Sequence, residues 1–411
     1  MTQRTQAIPP VAALIRAGQN QTEAEVIHDF IYMLHDVSNC YLVKTSAGDV
    51  LVNSGFIPSI DRNRTLLAPY RDGDIHSIFL TQAHPDHYGG VPAFLTANTR
   101  VITGARFTET RDYFAMLDAY LRGRSGKIWK TTLEQRNLDI PVVEPTHTVD
   151  QRQTFSIGER EFEVISTPGG ESPCSVIVWL PNEKVVFTGN LFGPILDSVP
   201  NLSTTRGDKL RSAKLYMEGV RAVLDLRPET LITGHGQPIF GAGEIQARLQ
   251  RMHDAVQYIH DETVKGMNAG KTVEALMAEI SLPEELQIGE FHGKVSWAVK
   301  SIWNEYTGWF YMRSTTELYA SHHSEIDSDL VELAGIDNLV ERGMQYHQQG
   351  EHLKALHFVD IALNSEPDNH GAITLKQGIL SKLLDISGYQ NMSEVMWLRG
   401  QLADCEAILE T

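Results

Sequence analysis

The stretch Thr81-Gln82-Ala83-His84-Pro85-Asp86-His87-Tyr88-Gly89-Gly90 decides how this chain is read. It follows the apolar run Ile78-Phe79-Leu80, which reads as the end of a strand. Two histidines and an aspartate within four positions cannot all face one side of a strand or a helix, so they require a loop folded back on one point. A metal ion is the usual occupant of such a point. Imidazole nitrogen with carboxylate oxygen suits zinc, or iron and manganese where further oxygen ligands join. Pro85 stiffens the turn, and Gly89-Gly90 lets the backbone bend tightly before a helix expected from about Val91. Ordinary loop histidines are the competing reading, and partner ligands elsewhere in the chain decide against it.

Working outward, 411 residues suffice for two domains, or for one large α/β domain with a helical annex. A hydrophobic share of 42% with 21% charged residues is that of a soluble globular protein, and no apolar run is long enough to cross a bilayer. No membrane insertion is expected. Met1 to Thr22 carries only two arginines and no sustained apolar core, so it does not read as a secretory signal, and a cytoplasmic location is expected. Cys40, Cys174 and Cys405 lie too far apart for a paired framework and read as buried thiols. A formal net charge of -17 argues against nucleic acid as a partner, because phosphate binding needs clustered Lys and Arg. An anionic substrate would need a local basic patch.

After a polar N-terminal arm, Phe30 to Val43 and Asp49 to Val52 read as paired strands joined by Ser46-Ala47-Gly48. Ile75 to Leu80 is the next strand and delivers His84 at its C-terminal end, followed by helix to about Leu95 and a short buried strand Val101-Ile102-Thr103. The segment Arg106 to Arg136 is mixed, with Phe107, Tyr113, Phe114, Tyr120 and Trp129, and reads either as a pocket wall or as core. Phe155 to Ser166 hairpins around Gly158 and runs into Thr167-Pro168-Gly169-Gly170-Glu171-Ser172-Pro173. Ser175 to Leu180 and Lys184 to Thr188 form a second pair, ending in Gly189-Asn190-Leu191-Phe192. Lys209 to Leu226 has helical spacing, and the strand Thr230 to Thr233 ends at Gly234-His235-Gly236. Such an order, with every polar cluster at a strand end, predicts an α/β sandwich of two sheets flanked by helices. From Ile245 the character turns helical, over Ile245 to Met267, Thr272 to Ile280, Gly293 to Phe310, Asn338 to Asn364 and Gly371 to Ser387. The domain boundary is placed near Gly270-Lys271, giving domains 1–270 and 271–411. Within the second, Gly343 to Pro367 has the spacing of one helix-pair unit.

The opening stretch resembles the H-x-H-x-D-H signature of the metallo-β-lactamase superfamily, with Gln82 standing where the first histidine belongs. Each strand-end cluster then falls where that superfamily keeps a ligand, which implies its αββα sandwich. Sites of the family hold two metals. The resemblance implies that the second is held by Asp86, His87 and His235, a complete set, and the first by Gln82, His84 and Glu171, the glutamate matching the alkylsulfatase branch. Asn190 stands where the family has its bridging carboxylate. One imidazole and one anion are thus replaced by amides, so first-site affinity is expected to fall.

A second resemblance covers His292-Gly293-Lys294-Val295-Ser296-Trp297-Ala298 through Gly308-Trp309-Phe310, which looks like the start of the alkylsulfatase dimerisation domain. Glu366-Pro367-Asp368-Asn369, Gly388-Tyr389-Gln390 and Trp397-Leu398-Arg399-Gly400 resemble later parts of it. The resemblance implies an all-α helical second domain and a homodimer formed through it. It runs to Thr411, without the sterol-carrier-like third domain that alkylsulfatases of this type carry. Thr205-Arg206-Gly207 with Arg211 resembles the Leu-Arg-Gly segment after the bridging acid, so Arg206 is expected to pair with an anionic group on the substrate.

The leading expectation is therefore a metal-dependent, alkylsulfatase-like hydrolase acting on a small anionic ester through metal-activated water. Its catalytic residues would be Asp86 and Arg206. One divalent metal, zinc first with iron or manganese as alternatives, would be held at Asp86, His87 and His235, with a weak or absent neighbour at His84 and Glu171. A metallo-β-lactamase subclass with asparagine at the Gln82 position works with one zinc. Two rivals stand beside it: a non-haem iron or manganese oxidase or oxygenase on the same fold, since two histidines and a carboxylate also describe such sites, and a binding protein with a degenerate site.

Overall fold

The computed structural model describes residues 7–130 and 138–410. The 131–136 part of the segment Arg106 to Arg136, the first six residues and Thr411 lie outside the described residues. The chain divides into two compact units, one of Ile8–Arg124 and Leu133–Tyr306, the other of Met1–Ala7, Ser125–Thr132 and Thr307–Thr411.

The larger unit is built on two sheets. In the first, β1 (Glu25–His28), β2 (Ile31–Leu34), β3 (Cys40–Val43), β4 (Asp49–Val52), β5 (Ile75–Leu80), β6 (Arg100–Gly104) and β7 (His147–Val149) lie side by side in chain order. β1 to β4 are antiparallel and β4 to β7 parallel. The second contains β8 (Arg152–Ile157), β9 (Arg160–Ser166), β10 (Val176–Leu180), β11 (Val185–Gly189), β12 (Thr230–Thr233) and β13 (Ile239–Phe240), in the spatial order β13-β12-β11-β10-β9-β8.

Alternation along the strands fixes the layers. On β5, Phe79 enters the core between the sheets with Tyr41, Val52, Phe162, Val178 and Phe187, whereas Ile78 and Leu80 point to the other face. That outer face packs against Leu67, Tyr88 and Phe107. The outer face of the second sheet, with Ile177, Trp179, Val186 and Leu231, is covered by the helices Ala213–Leu226, Ala242–Asn268 and Val295–Thr307. The result is the αββα sandwich expected from the strand order. The smaller unit is all helical, with cores formed among Ile336–Gln348, His352–Ser365, His370–Ile386 and Met392–Leu409.

Several local expectations are corrected. Phe30 to Val43 is not one strand but the hairpin β2/β3, because Asp36-Val37-Ser38-Asn39 carries turn chemistry inside an otherwise apolar run. Asp36 binds the chain back on itself through Val37 N (2.7 Å) and Phe56 N (3.0 Å). The helix expected from Val91 is a single turn, Pro85–Tyr88, followed by a 3-10 turn at Val91–Ala93. Gly90 lies so close to Ser54 that a Cβ there would stand 2.2 Å from its carbonyl oxygen, and the chain is pinned before a longer helix can form. The helix expected from Lys209 starts at Ala213, capped by Ser212, which leaves Lys209 to Arg211 free to run past the site. Asn338 to Asn364 is two helices, broken where Gly350 takes φ +85°. Arg106 onward resolves into Phe107–Met116 and Asp118–Trp129.

Packing and sequence divide the second half differently. The break in sequence character falls at 270/271, whereas Val295, Ala298, Val299 and Ile302 pack into the core formed by Tyr216, Val220 and Leu249.

Candidate metal centre

Four strands end at one edge of the sandwich. β5 is followed by Gln82, His84, Asp86 and His87, β9 by Glu171, β11 by Asn190 and β12 by His235. Backbone hydrogen bonds tie these loops together: Val176 N to Thr81 O (2.9 Å), Glu171 N to Asn190 O (3.4 Å), Gly234 N to Gly189 O (2.8 Å) and Asn39 N to Gly234 O (2.7 Å). A Cβ at Gly234 would lie 2.1 Å from Asn190 Oδ1, so glycine is what admits the Asn190 side chain beside His235.

Asp86, His87 and His235 each offer one ligand atom within 4.8 Å of the others, although they come from two distant parts of the sequence. His87 is fully enclosed, with Ser38 Oγ 3.2 Å from either ring nitrogen and Thr81 Oγ1 3.2 Å from Nδ1. Burial, helped by His84, lowers the His87 pKa to about 3. Burial likewise lowers that of His235. Both rings are therefore neutral near pH 7 and present lone pairs, the form that binds a metal. Asp86 is the most open of the three, its carboxylate 3.7 Å from His87 Nε2.

The other expected residues lie alongside. Gln82 Nε2 stands 2.7 Å from His84 Nδ1 and 3.0 Å from His87 Nε2, so one amide spans two imidazoles. Asn190 Nδ2 donates to Glu171 Oε2 (2.8 Å) and lies 3.1 Å from His235 Nε2. Glu171 Oε2 is 3.7 Å from His84 Nδ1. Burial raises the Glu171 pKa, but Arg211, His292, His84 and the Asn190 hydrogen bond outweigh it and hold the group as a carboxylate. All seven expected ligand positions thus converge. The amide oxygens Gln82 Oε1 and Asn190 Oδ1 are buried without a hydrogen-bond partner in the protein. Two neutral imidazoles, a carboxylate and buried acceptors lacking donors form a donor set that fits a divalent cation. Arg206 sits one step outward, its Nη2 3.6 Å from Asp208 Oδ2.

Three contributors were not legible in the sequence. Ser38 lies in the hidden turn between β2 and β3. Asp208 follows Arg206-Gly207 directly, yet no spacing marks it; its Oδ2 is 3.7 Å from His84 Nε2 and 3.2 Å from Arg211 Nη2. Burial raises its pKa, but His84, Arg211 and Arg206 outweigh that and lower it to about 2. His292 Nε2 lies 3.5 Å from Glu171 Oε1, and burial lowers its pKa to about 4. It is delivered by a backbone link between two loops, with Val199 N bonded to Gly289 O (2.8 Å) and Gly293 N to Val199 O (2.9 Å).

Comparison with known proteins agrees with this architecture. Residues 35–235 match the family described as the metallo-beta-lactamase superfamily, and residues 272–397 the family described as alkyl sulfatase dimerisation. A linear primary-alkylsulfatase of Pseudomonas sp. is 27% identical over 304 residues, covering 66% of this chain and 56% of its own. An alkyl/aryl-sulfatase of Saccharomyces cerevisiae is 23% identical over 399 residues, covering 89% and 60%. The chain therefore spans little more than half the length of these curated relatives. The solved structure of a stereoselective inverting sec-alkylsulfatase from Pseudomonas sp. superposes with a TM-score of 0.82 at 20% identity, over 93% of this chain and 65% of that one. Fold, ligand order and both sequence matches lead to one assignment: the chain belongs to the metallo-β-lactamase superfamily, in its alkylsulfatase-like branch.

Proposed function

We propose that the protein is a metal-dependent hydrolase of small anionic esters, with one tightly held divalent cation at Asp86, His87 and His235. The observation that carries the reading is the meeting of those three donors within 4.8 Å at the strand ends. Held by Asp86, His87 and His235, such a cation, zinc first, would supply Lewis acidity and lower the pKa of water at the site. The remaining work falls to the chain itself. Asp86, the most open donor, accepts a hydrogen bond from attacking water. Arg206, partly exposed, turns from Asp208 to pair with the anionic group of the substrate. Phe114, whose ring stands edge-on to His84 at 5.0 Å, and its neighbour Tyr113 wall the approach and exclude water. The two relatives described above are named as sulfatases, which favours hydrolysis over the oxidative chemistry that the same donors serve in iron enzymes.

The helical unit supports self-association into a homodimer, since Leu333, Met312 and Leu353 are 84%, 79% and 66% exposed. No helix among the described residues is long and apolar enough to cross a membrane. The deciding experiment is elemental analysis of protein purified without added metal, together with turnover of a short alkyl sulfate. One zinc per chain with release of inorganic sulfate is expected. Stoichiometric iron with oxygen uptake would replace this reading by an oxidative one, and negligible metal with no turnover by a binding role.

A further inference from the structure

The family ligand set loses an anion where Asn190 replaces the bridging carboxylate, yet a different carboxylate stands nearby. Asp208 Oδ2 faces His84 Nε2 at 3.7 Å, with both side chains under a tenth exposed. The opposite edge of the same ring faces inward, where Nδ1 meets Gln82 Nε2 at 2.7 Å and Glu171 Oε2 at 3.7 Å. With Gln82 Nε2 donating to Nδ1, the ring carries its proton on Nε2, the edge that faces Asp208. That N–H is buried without a closed hydrogen bond and is directed to Asp208.

Asp208 is itself fixed. Its Oδ1 accepts from Lys209 N at 2.7 Å, and its Oδ2 is met by Arg211 Nη2 at 3.2 Å, which in turn donates from Nη1 to Asn201 O at 2.8 Å. We propose that Asp208 is a positioning residue that holds His84 in the Nε2–H form with Nδ1 turned into the site, and thereby restores to the first metal position the negative charge missing at Asn190. The inference rests on the metal-centre reading only for its second half. A carboxylate behind a ligating imidazole fixes the ring and raises its basicity, and removing such a group typically weakens metal binding by about 10–100-fold.

The test uses full-length, metal-free protein with ¹⁵N-labelled histidine, in which the His84 signals are identified by their loss in His84→Ala. Long-range proton–nitrogen correlation should show His84 as the Nε2–H tautomer in the parent and in Asp208→Asn, which keeps an acceptor in the same place, and a mixture with the Nδ1–H form in Asp208→Ala. A side chain that merely anchored Arg211 would leave the tautomer as it was, and that result overturns the proposal. Titration with zinc alone then reads the second half: a weaker second equivalent should lose about 10–100-fold in affinity in Asp208→Ala and less in Asp208→Asn. Unchanged zinc uptake beside a shifted tautomer overturns the compensating role. A parent protein that takes up no zinc refutes the metal-centre reading instead, while the tautomer still decides whether Asp208 positions His84.

Discussion

The two halves of the candidate centre differ in what holds their polar atoms. Around Asp86, His87 and His235 the donors are two neutral rings and one carboxylate, with the hydroxyls of Ser38 and Thr81 on His87 and one amide beside each ring. Around His84 and Glu171 the neighbours are amides and arginine: Gln82, Asn190 and Arg211, with Asp208 behind. The first half resembles a ligand shell, the second a salt-bridged network with a histidine in it. The difference teaches that replacing two family ligands need not empty a site: the amide nitrogens of Gln82 and Asn190 pair with protein neighbours, while their oxygens are left without a donor and open to a cation.

The sharpest way to break this contrast is His235→Ala, which should remove most of the bound metal, whereas Gln82→Ala should leave it in place; elemental analysis of the two variants decides, and the reverse ranking refutes the division. Acid comes next. His87 has a folded pKa of about 3 against 6.5 for an unperturbed ring. The unfolded chain binds a proton that the folded one refuses between these values, so stability is full above pH 6.5 and falls as pH drops toward 3. Denaturant unfolding of the metal-free protein should show a slope of about 1.4 kcal/mol per pH unit from this ring, absent in His87→Gln.

A smaller effect is expected from Asn190→Asp, which brings a second carboxylate against Glu171 and removes a 2.8 Å hydrogen bond. Without metal it should cost about 2 kcal/mol of stability, and added zinc should recover that loss with a second equivalent bound. Calorimetry with and without zinc measures both. The smallest is Arg206→Ala, expected to raise KM for an anionic ester about tenfold with little change in kcat, matching one exposed charge-assisted contact. A neutral ester of the same chain length serves as the control.

What the sequence made legible was whatever is local or repeated at strand ends. Asp86 and His87 are adjacent, Asn190 directly follows one strand and His235 follows another after a single residue, both strands having plain apolar runs. The turn at Asp36 to Asn39 was masked by the apolar residues around it, and with it went Ser38. Asp208 and His292 act through partners 124 and 121 positions away in His84 and Glu171, and nothing in their own neighbourhoods records those distances. The shortness of the helix after His87 followed from contact with Ser54, which is again tertiary.

The placement of His292 has a practical corollary for anyone dissecting the molecule. A fragment cut at residue 270 on the strength of sequence character would strip Glu171 of one imidazole neighbour and bare the apolar face that Val295, Val299 and Ile302 cover. Expression of such a fragment should yield a sticky, poorly folded sandwich, while one ending after Tyr306 keeps its seal.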